Sequence, residues 1–362
     1  MNLELRQQHE TSQFAVDAAD TRPILIVPYR WVGDFVRGHS VVRLLKSRFP
    51  RRPIDTLATP LTAPLVEFMP GIRRAIVTDF PRGLSGVGDQ WKVARLLREE
   101  HYGTVLVMPR TWKSALAPFL AGIPERIGFV GEARYVLLND LRVGDAKIER
   151  MIDCMGLLAT PRGTSLPQDW PEPQLIVPPA EFAAWRAKNE VTDGRPVVAL
   201  CPGAVGAGKQ WPTPNVTELS RRLLAQGIDV WVVGGPNESP TAREVIAGAP
   251  GVRDFTGPRL RDAVFVLKAA DVAVANDSGL MHVAAAVGTP PVGLYGPTYP
   301  RRYEPLNPVA GQVEPPPGRC PTCGRPDCPI VDHRRIEDIR VEQVEKAILD
   351  AIAAAKARHV PD

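Results

Sequence analysis

The chain has 362 residues, too many for one typical hydrophobic core and about right for two domains. Charged residues make up 23% and apolar residues 44%, the balance of a soluble globular protein. The net charge is +4, no RNA- or DNA-binding motif is present, and no apolar stretch reaches the roughly 18–20 residues that cross a bilayer.

In chain order, residues 1–20 are polar and mixed in charge, which excludes a secretory signal and predicts a disordered tail. Short apolar runs then alternate with helical stretches, the pattern of parallel α/β sheets. Strands are predicted at Ile24–Tyr29, Ile54–Ala58, Ala75–Thr78, Thr104–Met108 and Arg126–Val130, with helices such as Phe35–Phe49 and Gln90–Glu100 between them. Residues 160–180 are Pro-rich with little periodicity, and a linker is expected over 166–190. The pattern restarts with strands at Val197–Leu200, Val230–Val233, Val272–Ala275 and Val292–Tyr295 and closes with a helix over Val341–Ala355. Two doubly wound domains are therefore expected, over 21–165 and 191–362, with a Pro-, Gly- and Cys-rich loop at 307–335 and the active site in the cleft between the domains. There is no short-period repeat. The excess positive charge lies in the first half, where it forms an ordinary solvated surface or one suited to an acidic acceptor or an anionic membrane.

Five motifs carry chemistry. Trp31-Val32-Gly33-Asp34 follows the first strand; Asp34 either caps the next helix or presents a carboxylate where a general base should sit. Gly203 through Lys209 has the G-x-x-x-x-G-K spacing of a P-loop, but Gln210 stands where Ser or Thr would hold Mg²⁺, and Trp211-Pro212 disfavours continuing helix. That excludes a P-loop ATPase and leaves Gly203, Gly208 and Lys209 as a Gly loop presenting a cation to a phosphate, or a surface turn with a solvated Lys. Gly235 and Glu238 follow another strand, where glycines admit a flat ring and Glu238 can accept from ribose hydroxyls; the same residues also make a common turn. No G-x-G-x-x-G follows a strand, so the nicotinamide-dinucleotide fingerprint is missing.

Asn276-Asp277-Ser278-Gly279 separates a buried strand from a helix, a place where unpaired N–H groups and the helix dipole favour an anion. Asp277 and Ser278 serve that site or merely cap the helix. His282, one helical turn beyond Ser278, faces the same end or is a satisfied half-buried histidine. Finally, Cys320, Cys323, Cys328 and His333 have the residue types of a tetrahedral metal site, the alternative being a reduced Cys-rich loop. Five cysteines without a leader predict reduced thiols in a cytosol.

Taken together, Trp31 to Asp34, Lys113-Ser114-Ala115, Ile123 to Gly128, Cys201 to Pro212 and Asn276 to His282 resemble the ADP-heptose:lipopolysaccharide heptosyltransferases of glycosyltransferase family 9, and within them the heptosyltransferase II type. The resemblance runs over most of 22–350 and includes the Cys320–Cys328 segment. It departs in Gln210, where the family usually has Arg, and in Phe35-Val36-Arg37 after Asp34. It implies a GT-B fold, an N-terminal acceptor domain and a C-terminal nucleotide-sugar domain. It also implies metal-independent inverting transfer of heptose from ADP-heptose to the lipopolysaccharide inner core, on the cytoplasmic face of the inner membrane with peripheral membrane contact and no nucleic-acid partner. Asp34 would be the base. Lys209 and the Ser278-Gly279 helix end would stabilise the leaving diphosphate, with Asp277 orienting the turn or the sugar and Glu238 holding the ribose. Arg110, Lys113 and Arg126 would meet acidic acceptor groups, unless they form a dispersed basic surface. The Cys segment would hold a structural Zn or Fe. A related transferase with another nucleotide sugar or a protein acceptor, and a non-catalytic nucleotide-binding module, are the rival readings.

Overall fold

A computed structural model describes residues 20–78, 87–144, 147–206, 208–316 and 335–358. The chain separates into two compact units, one of Met1–Arg30 with Gly38–Pro171 and one of Trp31–Arg37 with Glu172–Asp362. The short segment that carries Asp34 thus packs with the second unit.

The first unit is built on β1 (Ile24–Val27), β2 (Ile54–Ala58), β3 (Arg74–Val77), β4 (Thr104–Val107), β5 (Glu125–Phe129) and β6 (Asp140–Arg142), all parallel in the order β3-β2-β1-β4-β5-β6. Every residue of β1, β2 and β4 is buried, as central strands of a parallel sheet covered on both faces are, including the polar Asp55, Thr56 and Thr104. Helices α1 (Val32–Arg48), α2 (Val87–Glu99), α3 (Trp112–Leu120) and α4 (Met151–Leu157) accompany this sheet. Near its end Trp170 is buried against Gly156 and donates from Nε1 to Asp153 at 2.7 Å, which ties residue 170 of the Pro-rich stretch to this unit.

The second unit holds α5 (Pro179–Lys188), β7 (Val197–Cys201), α6 (Thr213–Ala225), β8 (Asp229–Gly234), α7 (Ser239–Gly248) and β9 (Arg253–Thr256). It continues with α8 (Leu260–Ala269), β10 (Val272–Asn276), α9 (Gly279–Ala286), β11 (Pro291–Leu294), α10 (Pro300–Tyr303), β12 (Gly311–Val313) and α11 (Val341–Arg358). Its parallel sheet runs β12-β11-β10-β7-β8-β9. One face is packed by a core that joins Leu200, Leu219, Val232, Val274, Val344 and Ile348.

All nine predicted strands appear. The three others, β6, β9 and β12, contain Asp-Leu-Arg, Arg-Asp-Phe-Thr and Gly-Gln-Val, edge segments too short or too polar to leave an apolar run. Counted from the first strand of each, both sheets have the order 3-2-1-4-5-6. In that arrangement the strand order reverses beside the first strand, and ligands bind at the carboxyl edge there. In the second unit this point lies between Cys201, which ends β7, and Asn276, which ends β10.

Candidate functional site

Both loops at the β7–β10 edge are tied together by one buried side chain. Asn276 Oδ1 accepts from the Trp211 backbone N–H at 3.3 Å, and its Nδ2 donates to Pro202 O at 2.5 Å. Buried and bonded through both ends of its amide, Asn276 fixes the Gly203 loop against the Asp277 turn. Trp211 is anchored further by its Nε1, which donates to Ile339 O at 3.0 Å. Between these anchors Gly206 and Gly208 take φ of +118° and +72°, conformations open to glycine, and Gln210 donates from Nε2 to Ala204 O at 2.9 Å. Lys209 is thereby turned inward. Its Nζ lies 2.9 Å from Asp277 Oδ2 and 6.0 Å from the centre of the Tyr303 ring.

A second group forms beside the first. Glu238 closes the turn after β8 and accepts from the Gly235 N–H at 2.8 Å. A Cβ on Gly203 would lie 2.7 Å from Glu238 Cδ, so Gly203, Gly235 and Glu238 meet and the glycine leaves room for the carboxylate. Burial and the Glu238 charge push the Cys201 thiol up to about 12, so this cysteine is an inert neutral group.

The third group brings in the first motif. Phe35 N donates to Trp31 O at 2.8 Å, so α1 opens at Val32 and Asp34 stands in its first turn. The N-cap position is therefore Trp31, and the reading of Asp34 as a simple cap does not hold. Asp34 Oδ1 instead accepts from Arg37 Nη1 at 2.5 Å, an i,i+3 pair in which Arg37 is 3% exposed and Asp34 16%. Arg37 Nη2 donates to His282 Nε2 at 2.9 Å and to Tyr303 O at 3.0 Å. Because a guanidinium only donates, His282 Nε2 must accept, and the ring proton sits on Nδ1. Burial and the Arg37 charge hold His282 well below the ordinary histidine range, so it is neutral. Its Nε2 is thus engaged by Arg37 within the protein.

Burial raises the Asp34 carboxyl above the ordinary aspartate value; the Arg37 charge and hydrogen bond pull it down, Asp277 adds to the rise, and Arg302 opposes it. Ser278 occupies the N-cap of α9 without a capping hydrogen bond, and its buried Oγ has no partner. The expected cap is thus not made by Ser278, nor by Asp277, whose carboxylate meets Lys209. Gly279 abuts the start of α1: a Cβ there would lie 2.7 Å from Val32 Cβ.

Asp34, Lys209, Asp277, Gly279 and His282 are thus brought into one neighbourhood, with Gly203, Gly235 and Glu238 beside it through Asn276. The three basic residues assigned to an acceptor lie in the first unit and do not form one group. Arg110 and Lys113 follow β4 at its carboxyl edge, with Lys113 Nζ 5.7 Å from the Trp112 ring centre. Arg126 stands at the opposite, amino edge of β5, and its guanidinium donates to Leu137 O at 2.8 Å and Ile123 O at 2.6 Å. It is occupied in holding that edge together. Cys320, Cys323, Cys328 and His333 lie outside the described residues, among which no group of three or more His, Cys, Asp or Glu is placed to hold a metal. Among the residues that sequence reasoning left outside the site, Asn276 stood inside a quoted motif, Arg37 stood out only as a departure after Asp34 bearing on the acceptor side, and Tyr303 gave no signal.

Known proteins resemble this chain in sequence and fold. The family model of glycosyltransferase family 9 (heptosyltransferase) matches residues 90–328. Lipopolysaccharide heptosyltransferase 2 of Escherichia coli (strain K12) is 36% identical over 299 residues, covering 78% of this chain and 85% of that protein. Lipooligosaccharide heptosyltransferase 2 of Haemophilus influenzae is 36% identical over 300 residues, covering 78% and 86%. The solved structure of E. coli ADP-heptose lps heptosyltransferase II superposes with a TM-score of 0.81 at 32% identity, covering 92% of this chain and 99% of that one. The chain belongs to glycosyltransferase family 9, the heptosyltransferases, and has their GT-B fold.

Proposed function

We propose that this enzyme transfers heptose from ADP-heptose to the inner core of lipopolysaccharide, inverting the anomeric carbon and needing no metal for the transfer. The observation that carries the reading is the convergence of Asp34, Lys209, Asp277 and the α9 amino end at one place, together with the relatives' names. Asp34 is the general base that removes the acceptor hydroxyl proton as its oxygen attacks the anomeric carbon. The bond to the ADP oxygen breaks through an oxocarbenium-like transition state. Charge then gathers on the departing diphosphate, where the Lys209 ammonium, aimed by Asp277, and the α9 backbone N–H groups stabilise it electrostatically. Glu238 accepts from the ribose hydroxyls, and Gly203 and Gly235 let the nucleoside approach the backbone. Ser278 Oγ, a buried hydroxyl without a protein partner, is available to a phosphate oxygen. Arg110 and Lys113 are kept as acceptor contacts and Arg126 is not.

The acceptor is membrane-bound in this reading, and the enzyme works against the cytoplasmic face of the inner membrane as a peripheral protein. No described helix is long and apolar enough to cross a membrane. No step is assigned to Cys320, Cys323, Cys328 or His333.

Asp34→Asn should lower turnover by a factor of at least about 10²–10⁴, the usual contribution of a general base, while ADP affinity stays within a few-fold. Near-normal turnover in that variant removes Asp34 from the base role. Lys209→Ala should weaken ADP binding in titration calorimetry, and an unchanged affinity refutes the diphosphate contact.

A further inference from the structure

The guanidinium of Arg37 is the least expected feature of the site. It is 3% exposed, yet its charge is met by one carboxylate, one imidazole lone pair and one carbonyl, each from a different element. A buried Arg spanning α1, α9 and α10 costs desolvation, and a site that retains it uses it for position or charge. Its three partners fix the guanidinium plane, and the plane fixes Asp34: Nη1 holds Oδ1, which constrains the rotation of the carboxylate.

The geometry points to Arg37 as the positioning residue that keeps Asp34 ionised and aimed, with His282 and Tyr303 serving as the mount for Arg37 and not as participants in transfer. This inference rests on Asp34 being the base. The charged and titratable groups facing Asp34 are Arg37 on its own helix, Asp277 on the β10–α9 turn, neutral His282 on α9, and Arg302 beside Tyr303 on α10; Lys209, from the loop after β7, acts on the same ground through Asp277. Burial and Asp277 favour the protonated acid, and an acid cannot accept the acceptor's proton. Arg37 is the strongest opposing charge, in direct contact. His282, with its Nε2 lone pair turned to Arg37, adds no positive charge of its own, so Asp34 is the one carboxylate among the guanidinium's three partners.

The sign follows. With Arg37 present, the carboxylate persists to lower pH than burial alone would allow. Without the charge, the Asp34 pKa rises, and the base is lost as pH falls through that higher value. Arg37→Gln removes the charge and keeps amide donors for Tyr303 O and His282 Nε2. Its acidic limb in kcat/KM should move up by about 1–3 pH units, the usual effect of an opposite charge in contact, with activity recovering towards the alkaline plateau. Arg37→Lys, which keeps the charge as a point on a flexible stem, should return the limb most of the way to its original position. Thermal stabilisation by ADP reports that each variant is folded.

A limb that stays in place in folded Arg37→Gln overturns the inference, as does an equal loss of activity at every pH that Arg37→Lys does not relieve. The test separates the two levels of the reading. An active Asp34→Asn enzyme removes the base and Arg37's role together, whereas an inactive Asp34→Asn enzyme with an unshifted Arg37→Gln profile removes Arg37's role alone.

Discussion

One absent side chain decides how closely α1 and α9 pack at this site. A Cβ on Gly33 would lie 2.6 Å from His282 Cδ2 and 3.3 Å from its Nε2, the atom that receives Arg37. Gly33→Ala should therefore push His282 off the guanidinium and cost about 1–3 kcal/mol as overpacking, read as a lower urea midpoint with unchanged m-value. An unchanged midpoint would show that the ring yields freely. At this scale the sequence was partly readable. Trp31 to Asp34 and Asn276 to His282 each announced a strand-to-helix edge, and Asp34 with Arg37 had the i,i+3 spacing of helical neighbours. That Gly33 touches a histidine 249 positions later follows only from chain topology. Local pattern carries no record of it, and for the same reason His282 stayed between two readings until its partner was seen.

Elements in the first unit are locked by charge as well as by apolar packing. Asp55, wholly buried on β2, accepts from Arg73 Nη2 at 2.5 Å, from Arg74 Nε at 3.2 Å and from Tyr102 Oη at 2.5 Å. Burial would raise this carboxyl, but the hydrogen bonds from Arg73, Tyr102 and Arg74 and the Arg73 charge outweigh it, leaving it below the ordinary aspartate range. A carboxylate so depressed contributes stability that is present above its unfolded pKa of about 3.9 and lost as pH falls through the folded value. Tyr102→Phe removes one hydrogen bond to the charged form and should cost about 2 kcal/mol at neutral pH. In denaturation series the deficit should shrink as pH falls through the folded-state pKa of Asp55, which lies below the ordinary aspartate value. A deficit independent of pH would assign the loss to packing. The strand itself was legible as Ile54–Ala58 despite Asp55 and Thr56 within it, because the flanking apolar residues set the run. The ion-pair cluster was not, since Arg73, Arg74 and Tyr102 come from a neighbouring strand and a loop. The edge strands β6, β9 and β12 went unread because pairing with a neighbour makes them strands, where their own composition does not.

At the scale of the whole molecule, donor choice is the quantity that the reading commits to. Any ligand that binds only the native state raises its stability by RT ln(1 + [L]/Kd), about 2.7 kcal/mol at a hundredfold excess over Kd. ADP should raise the thermal midpoint more than UDP or GDP at equal concentration, and a preference for either of those two would sink the ADP-sugar assignment. The doubly wound halves were legible from alternating strands and helices. The assignment of residues 31–37 to the second unit was not, because a helix that is continuous in sequence gives no sign of where its contacts change sides. The repeated strand order has one more consequence. Asp34 comes from the segment after the first strand of the first sheet, and Lys209 from the segment after the first strand of the second. The proposed base and the proposed diphosphate cation thus sit at the same topological address in two copies of one strand order. A variant that exchanges one loop would therefore alter one of the two proposed tasks while the shared strand order beneath it stays in place.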